Sequence, residues 1–481
     1  MDLSSLSSII LAGIGLLLAL ILPGAVWLLW ARPEGIDALE WIAEAVGSSL
    51  ALVALAGMLL ALLGVSFNAF GVAALTGGLM LVWIAVKLWQ GGRLRVQART
   101  LLMVGALLAL AAWRFYQART LVMPAWVDSV HHTLLVRLIL ERGAIPGDWM
   151  PYLPVPMFYH FGFHSSAALF SFFSRIEPSQ SLLIFGNALN ALVAAAVYRL
   201  GKALWGSTAR AAVAGLLVGF VFQMPAYYVS WGRYPLLAGL AVLPLALAAA
   251  LDVRRCPWSR GAWARLALYA AGICFCHFLA VGLLILFLLV LAGFETVKAW
   301  RARSMRVVAW QPLAGAALGA LAAAPWLARV WTYSSSYFGV DVVSPLDASQ
   351  AQASTELLNY LLYLLGPWRS HFVLILAGLG LVLAFRNVNA RLLAVWGALM
   401  ALMATPWGPR FAPFRPDHLA IVLFLPASLL AADVLVSAGE ALGRTWRRIA
   451  GQIGVGLAVC CLLLWGIVDG RDILNPVTTF T

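Results

Sequence analysis

A polytopic bundle of transmembrane α-helices, about fourteen of them, with interfacial helices in its outer loops, is the all-α fold class that the sequence predicts. Three observations predict it. Of 481 residues, 63% are hydrophobic and only 11% charged, too few charges to cover a soluble surface of this length. Apolar runs near the length of a bilayer-spanning helix, about 20 residues, recur along the whole chain. Basic residues fall almost wholly in alternate short loops, as they do beside a cytoplasmic leaflet. Together these exclude a cytosolic enzyme, a disordered chain and a conventional nucleic-acid binder.

Taken in order, the fourteen segments lie near 6–30, 46–65, 69–88, 100–114, 180–198, 209–224, 235–251, 264–277, 279–297, 311–328, 372–385, 391–405, 418–436 and 450–468. The first has no Lys or Arg before Arg32 and is too long for a cleavable signal peptide, so it is expected to be retained. Between the segments, the clusters Lys87/Arg93/Arg95/Arg99, Arg199/Lys202/Arg210, Arg254/Arg255/Arg260/Arg265, Lys298/Arg301/Arg303/Arg306, Arg386/Arg391 and Arg444/Arg447/Arg448 mark the cytoplasmic loops. With Arg32, the inner face carries 21 basic and 8 acidic residues, and the outer face 11 of each. The formal charge of +13 is therefore a topology signal, with no nucleic-acid partner implied. One inner loop, 31–45, is acidic, and in this topology both termini lie outside.

Residues 1–99 are expected to form an N-terminal three-helix membrane segment, and 100–481 a membrane core with three outer loops at 115–179, 329–371 and 405–418. Function is expected on those loops. In the first, 134–142 has the spacing of an amphipathic interfacial helix, and 161–173 is apolar but too short to span, which suits a re-entrant or half-inserted helix. The second contains YSSSYFGVDVVSPLDASQAQASTE, whose composition suits a mobile loop beside a substrate. Five cysteines, mostly inside apolar runs, suggest neither a disulfide framework nor a thiolate metal site.

All seven histidines, His131, His132, His160, His164, His277, His371 and His418, fall on the outer side, although none was used to orient the chain. A shared outer cavity is the expectation, where neutral imidazoles donate and accept protons. Asp128, in MPAWVDSVHH, is the candidate base for a substrate hydroxyl, and as a residue preceding a helical stretch it is equally suited to cap that helix. His131 and His132 follow at i+3 and i+4 and can share its face. Arg137 points elsewhere, toward lipid head groups. His160 and His164 stack on one face if 158–170 is helical; Tyr159 stands beside them. Their spacing also suits a divalent metal, but without an HExxH glutamate or CxxC no cofactor is expected. Arg233, followed by Tyr234 in YYVSWGRYP, and Arg410 and Arg415 in GPRFAPFRPDH, are outer arginines suited to a phosphate or pyrophosphate group, with Asp417 and His418 placed to orient Arg415.

On WVDSVHHTLLVRLILERGAIP and YLPVPMFYHFGFHSSAAL, the chain resembles the GT-C superfamily of integral-membrane glycosyltransferases, over roughly residues 100–250. The resemblance implies an acidic residue in the first large outer loop, here Asp128, as base, an interfacial helix after it, and a polyprenyl-phosphate-linked sugar donor at the outer face of the cell membrane. Arg233, or Arg410 with Arg415, would take the donor phosphate. Many members show two acidic residues together where this chain has one, and here four helices precede the loop. The opening LALILPGAVWLLWARPEGIDALEW resembles uncharacterised bacterial multi-pass relatives of that superfamily. The reading is an inverting transfer to an acceptor hydroxyl on a glycan or lipid, with membrane lipids and the lipid-linked donor as partners. Its rivals are a transporter or flippase of an anionic lipid or solute, and a non-catalytic membrane assembly subunit.

Overall fold

The computed structural model describes residues 6–31, 33, 35–66, 69–89, 98–302, 310–337, 350–407, 414–445 and 448–475. Arg410 and residues 338–349 of the serine-rich outer loop lie outside the described residues. The protein is a polytopic helical bundle, and no strand is present among the described residues.

Every one of the fourteen apolar segments is helical, but the number long enough to cross a bilayer is smaller. Among the described residues, eight helices pass on length and composition: Leu6–Ala31, Ala38–Leu62, Thr100–Gln117, Pro178–Trp205, Tyr234–Arg255, Phe278–Arg301, Pro416–Arg444 and Ile449–Gly470. Two more spans result if the bent pairs Gln311–Ala322 with Ala324–Ser334 (70°) and Glu356–Leu365 with Trp368–Leu383 (93°) each count as one. Thr208–Val221, Arg260–Cys276 and Val388–Met403 are helices shorter than a bilayer is thick. Apolar weight marked these segments correctly as helices but not as spans; length, which the core imposes, was the part that composition did not encode.

Several helices also run past their apolar cores. Ala38–Leu62 begins eight residues before the apolar run at 46, because Asp37 and Glu40 form a reciprocal capping box, with Asp37 Oδ1 accepting the N–H groups of Leu39 and Glu40 at 3.1 Å each. The acidic 31–45 loop is thus largely helix. Glu40 and Glu44 thereby enter the bundle, where Arg199 reaches Glu44 at 2.8 Å and Asp252 at 2.5 Å, and Arg265 reaches Asp252 at 3.0 Å. These partners come from the basic loops at 199–210 and 252–265, so 31–45, although acidic, lies at the same end of the bundle as those loops.

The centre is built by Pro178–Trp205 and Tyr234–Arg255, which pack on each other, and Arg260–Cys276 packs on the second of them. Ala38–Leu62 closes against them: Gly47 faces Leu245, and a Cβ at Gly272 would lie 2.5 Å from that of Ala51. The short segment near 161–173 is the helix Gly162–Ser174, buried along nearly its whole length against Leu6–Ala31, Ala38–Leu62 and Pro178–Trp205. Protein, not lipid, surrounds it.

Candidate functional site

The site is assembled at the end of the bundle opposite Glu44. Its floor is the helix Val127–Arg142, longer than the 134–142 expected, which starts at Trp126 (φ +75°, with no side-chain cap) and stops at left-handed Gly143 (φ +61°). Asp128 therefore stands inside the first turn and is not the N-cap, which frees its carboxylate from capping while leaving it at the favourable end of the helix dipole. Asp128 is half-buried and, among the described residues, its side chain has no hydrogen-bond or ion-pair partner. His131 and His132 do not share a face: His131 is exposed and His132 is turned inward, because successive residues on a helix diverge by about 100°. Arg137 is exposed, away from the site.

His132 Nε2 donates to the Gly232 carbonyl at 2.8 Å, which leaves Nδ1 to accept from His164 Nε2 at 3.0 Å. His160 is not stacked with His164, since the helix begins at Gly162 and leaves His160 in the preceding loop. Instead His160 Nε2 accepts the Phe278 N–H at 3.1 Å, and its ring lies flat on that of His277, with centroids 4.8 Å apart and planes at 8°. His277 caps the helix Phe278–Arg301, with Nδ1 accepting from Leu279 N–H at 3.1 Å. The proton of neutral His160 is then on Nδ1, a buried donor with no partner. Burial holds these imidazoles neutral: it lowers His132 to about 3 and His160 to about 4, and His164 and His277 well below the ordinary histidine value.

Tyr159 roofs this histidine cluster, 5.1 Å from His160 and 5.8 Å from His132 between ring centroids. Its loop is pinned from the far side by Arg329, whose Nε donates to the Met157 carbonyl at 2.7 Å. Loss of water raises the Tyr159 phenol to about 12; the nearby Asp128 carboxylate adds to the rise and the Arg233 guanidinium opposes it. One tyrosine thus feels both charges.

Gly232 makes that meeting happen. It has φ +61°, and a Cβ there would fall 2.6 Å from Ser129 Oγ and 3.4 Å from the Asp128 Cβ, so only glycine lets the 230–233 turn press on the first turn of the Asp128 helix. Arg233 follows at the N-cap position of Tyr234–Arg255, half-buried, its guanidinium 6.0 Å over the Trp231 ring. Among the described residues no carboxylate lies within 4.0 Å of it. Tyr234 is fully buried, stacked on Phe163 at 5.2 Å, with its hydroxyl 3.3 Å from the Val229 carbonyl; it props the turn and does not open to solvent.

Arg415 is brought to the same end but is already engaged, forked on Asp417 at 2.9 and 3.1 Å, with 70% of its side chain exposed. His418, 4.0 Å from Asp417, lies close enough to His277 for the two to interact electrostatically, and burial lowers it from the ordinary histidine value. His371 is elsewhere, bonded to the Leu362 carbonyl at 3.1 Å. So His132, His160, His164, His277 and His418 are gathered with Asp128, Tyr159 and Arg233. His277 was missed as a site residue because its signal, a polar residue between two apolar helices in CFCHFL, is the mark of any cap. Among the described residues no three His, Cys, Asp or Glu side chains are placed to hold a metal ion.

A family model described as a family of unknown function, DUF6541, matches residues 17–468. No curated protein matches. Among solved structures, the chain is similar to the oligosaccharyltransferase of Archaeoglobus fulgidus in its apo form, at TM-score 0.49 and 12% identity over 76% of this chain and 55% of that one. The same archaeal protein in complex with Zn and sulfate gives 0.48 and 13%, over 76% and 53%. Tethered with an acceptor peptide, it gives 0.47 and 11%, over 76% and 55%. This chain spans about half the length of that protein.

Proposed function

The chain belongs to the DUF6541 family, and from the geometry around Gly232 we propose that it is an integral-membrane glycosyltransferase, moving a sugar from a polyprenyl-phosphate donor to an acceptor hydroxyl at the extracytoplasmic face of the cell membrane. The observation that carries the reading is one carboxylate and one guanidinium, each without an ionic partner among the described residues, both close enough to act on Tyr159 and borne by two turns that a glycine packs together. Half-buried charges left unpaired cost stability and are kept where a ligand completes them.

The chemistry is an in-line inverting displacement. Asp128 takes the proton of the acceptor hydroxyl as its oxygen bonds to the anomeric carbon, while the bond from that carbon to the donor phosphate breaks. The charge left on the phosphate falls to Arg233, whose planar fork matches two phosphate oxygens. Neutral His160, with its unpartnered Nδ1–H, supplies a hydrogen-bond donor that does not titrate near pH 7.

Membranes carrying Asp128→Asn should incorporate label from polyprenyl-phosphate-linked radioactive sugar on the order of 10²–10⁴-fold more slowly than wild type, with helical content and expression unchanged. Equal incorporation by the two would rule out this base.

A further inference from the structure

At the same end of the bundle a cavity of about 420 Å³ opens between Gln223, Tyr227, Tyr363, Arg369, His371 and Asp469. Its walls differ in kind from the histidine cluster. Arg369 is buried, and its charge is met by Asp469, while its Nε donates to the Val221 carbonyl at 2.9 Å. That wall is therefore rigid and close to neutral. Tyr363 is 58% exposed, and the Tyr227 hydroxyl faces both Tyr363 and Trp231. Trp231 in turn meets Tyr227 edge-on at 4.9 Å and lies beneath Arg233 at 6.0 Å. A continuous run of aromatic rings, Tyr363, Tyr227 and Trp231, leads from this cavity to the Asp128 and Arg233 site.

We propose that this cavity binds the acceptor, and that the acceptor is a neutral saccharide. A pyranose ring presents C–H faces that stack on aromatic rings and an equatorial belt of hydroxyls that are both donors and acceptors. The cavity supplies matching parts: tyrosine faces, the amide of Gln223, the imidazole of His371 and an arginine–carboxylate pair held at fixed spacing. Its volume is that of a small-molecule site. A lipid tail would find too many polar groups here, and an anion would find the one guanidinium already occupied by Asp469. The role as acceptor site rests on the transferase reading; the binding chemistry does not.

The test is saturation-transfer NMR on the full chain in nanodiscs, with cellobiose, maltose, mannobiose and N,N′-diacetylchitobiose as probes. Transfer to the ring protons of at least one is expected, falling at least about fivefold in Tyr363→Ala and in His371→Ala, both surface-accessible changes, and persisting in Asp128→Asn. No transfer to any of the four, or undiminished transfer in both cavity variants, overturns the proposal. Loss of the Asp128 assignment would leave this signal intact, so the two readings fail separately.

Discussion

The two ends of this bundle handle charge in opposite ways. At one end Arg199, Arg255 and Arg265 face Glu40, Glu44 and Asp252, three cations against three anions, with Tyr269 also bonded to Glu44 and Arg265 donating to the Ala31 carbonyl at 3.1 Å. At the other, Asp128 and Arg233 have no ionic partner among the described residues and stand beside neutral histidines. Both ends are rich in ionisable groups, so richness alone does not mark function. What separates them is satisfaction: a closed network fixes helix ends, whereas an open one waits for a ligand.

The largest expected effect tests the closed end. Arg199→Ala strips a buried guanidinium from Glu40, Glu44 and Asp252 at once, leaving carboxylates that are only 4% and 0% exposed at the two glutamates. Breaking such a network costs about 3–5 kcal/mol. The melting temperature in detergent should fall steeply, whereas transfer per folded molecule should not change. A specific activity that collapses while the fold survives would make this end part of the site and erase the contrast.

Acid tests the open end. Because folding lowers His132 to about 3 and His160 to about 4, below the ordinary 6.5, the unfolded chain binds more protons as the pH falls. Their contribution is complete above about pH 6.5 and is lost progressively toward pH 4, at up to about 1.4 kcal/mol per pH unit for each histidine. Unfolding midpoints measured between pH 7.5 and 5 should decline, and His160→Gln should flatten the decline. A midpoint that stays level through pH 5 would mean these imidazoles are not held neutral.

How much of this was visible in the sequence follows from what each feature depends on. Helices depend on apolar runs, and all fourteen runs are helical; of the seven histidines expected to share one cavity, five gather at one end of the bundle, while His131 is exposed and His371 stands apart. Span lengths were not legible, because a buried 13-residue helix such as Gly162–Ser174 has the composition of membrane and the length of a core element. Nor was the pairing state of the arginines. Arg233 and Arg415 read alike in one dimension, yet Asp417 two residues away closes a fork on Arg415, while Gly232 packs the turn that carries Arg233 against the Asp128 turn, a chain segment some hundred residues distant. The separation of His131 from His132 needed the true start of the helix.

Gly232→Ala probes the joint itself. Alanine at φ +61° costs about 1–2 kcal/mol, and its Cβ meets Ser129 Oγ at 2.6 Å. The 230–233 turn must lift, carrying Arg233 from Asp128, so transfer should fall by more than stability accounts for. Ser129→Ala added to it removes the hydroxyl from the clash and should restore part of the rate. Full activity in Gly232→Ala alone would show that the approach of the two turns is not needed for transfer.

The smallest effect decides between the two outer arginines. Arg415 is mostly exposed and its fork on Asp417 is local in sequence, so the pair contributes about 0–1 kcal/mol. If its charge is already spent on Asp417, Arg415→Gln should leave the melting temperature and the maximal rate near wild type, whereas Arg233→Gln, which removes a guanidinium with no carboxylate of its own among the described residues, should slow transfer about 10²-fold or more. The contrast turns on whether a ligand phosphate can outcompete Asp417. Asp417→Asn, which releases Arg415 without touching Arg233, sharpens it: faster transfer in that variant would show that Arg415 is a phosphate contact held in reserve, and the satisfied and unsatisfied arginines of this end would then differ in degree and not in kind.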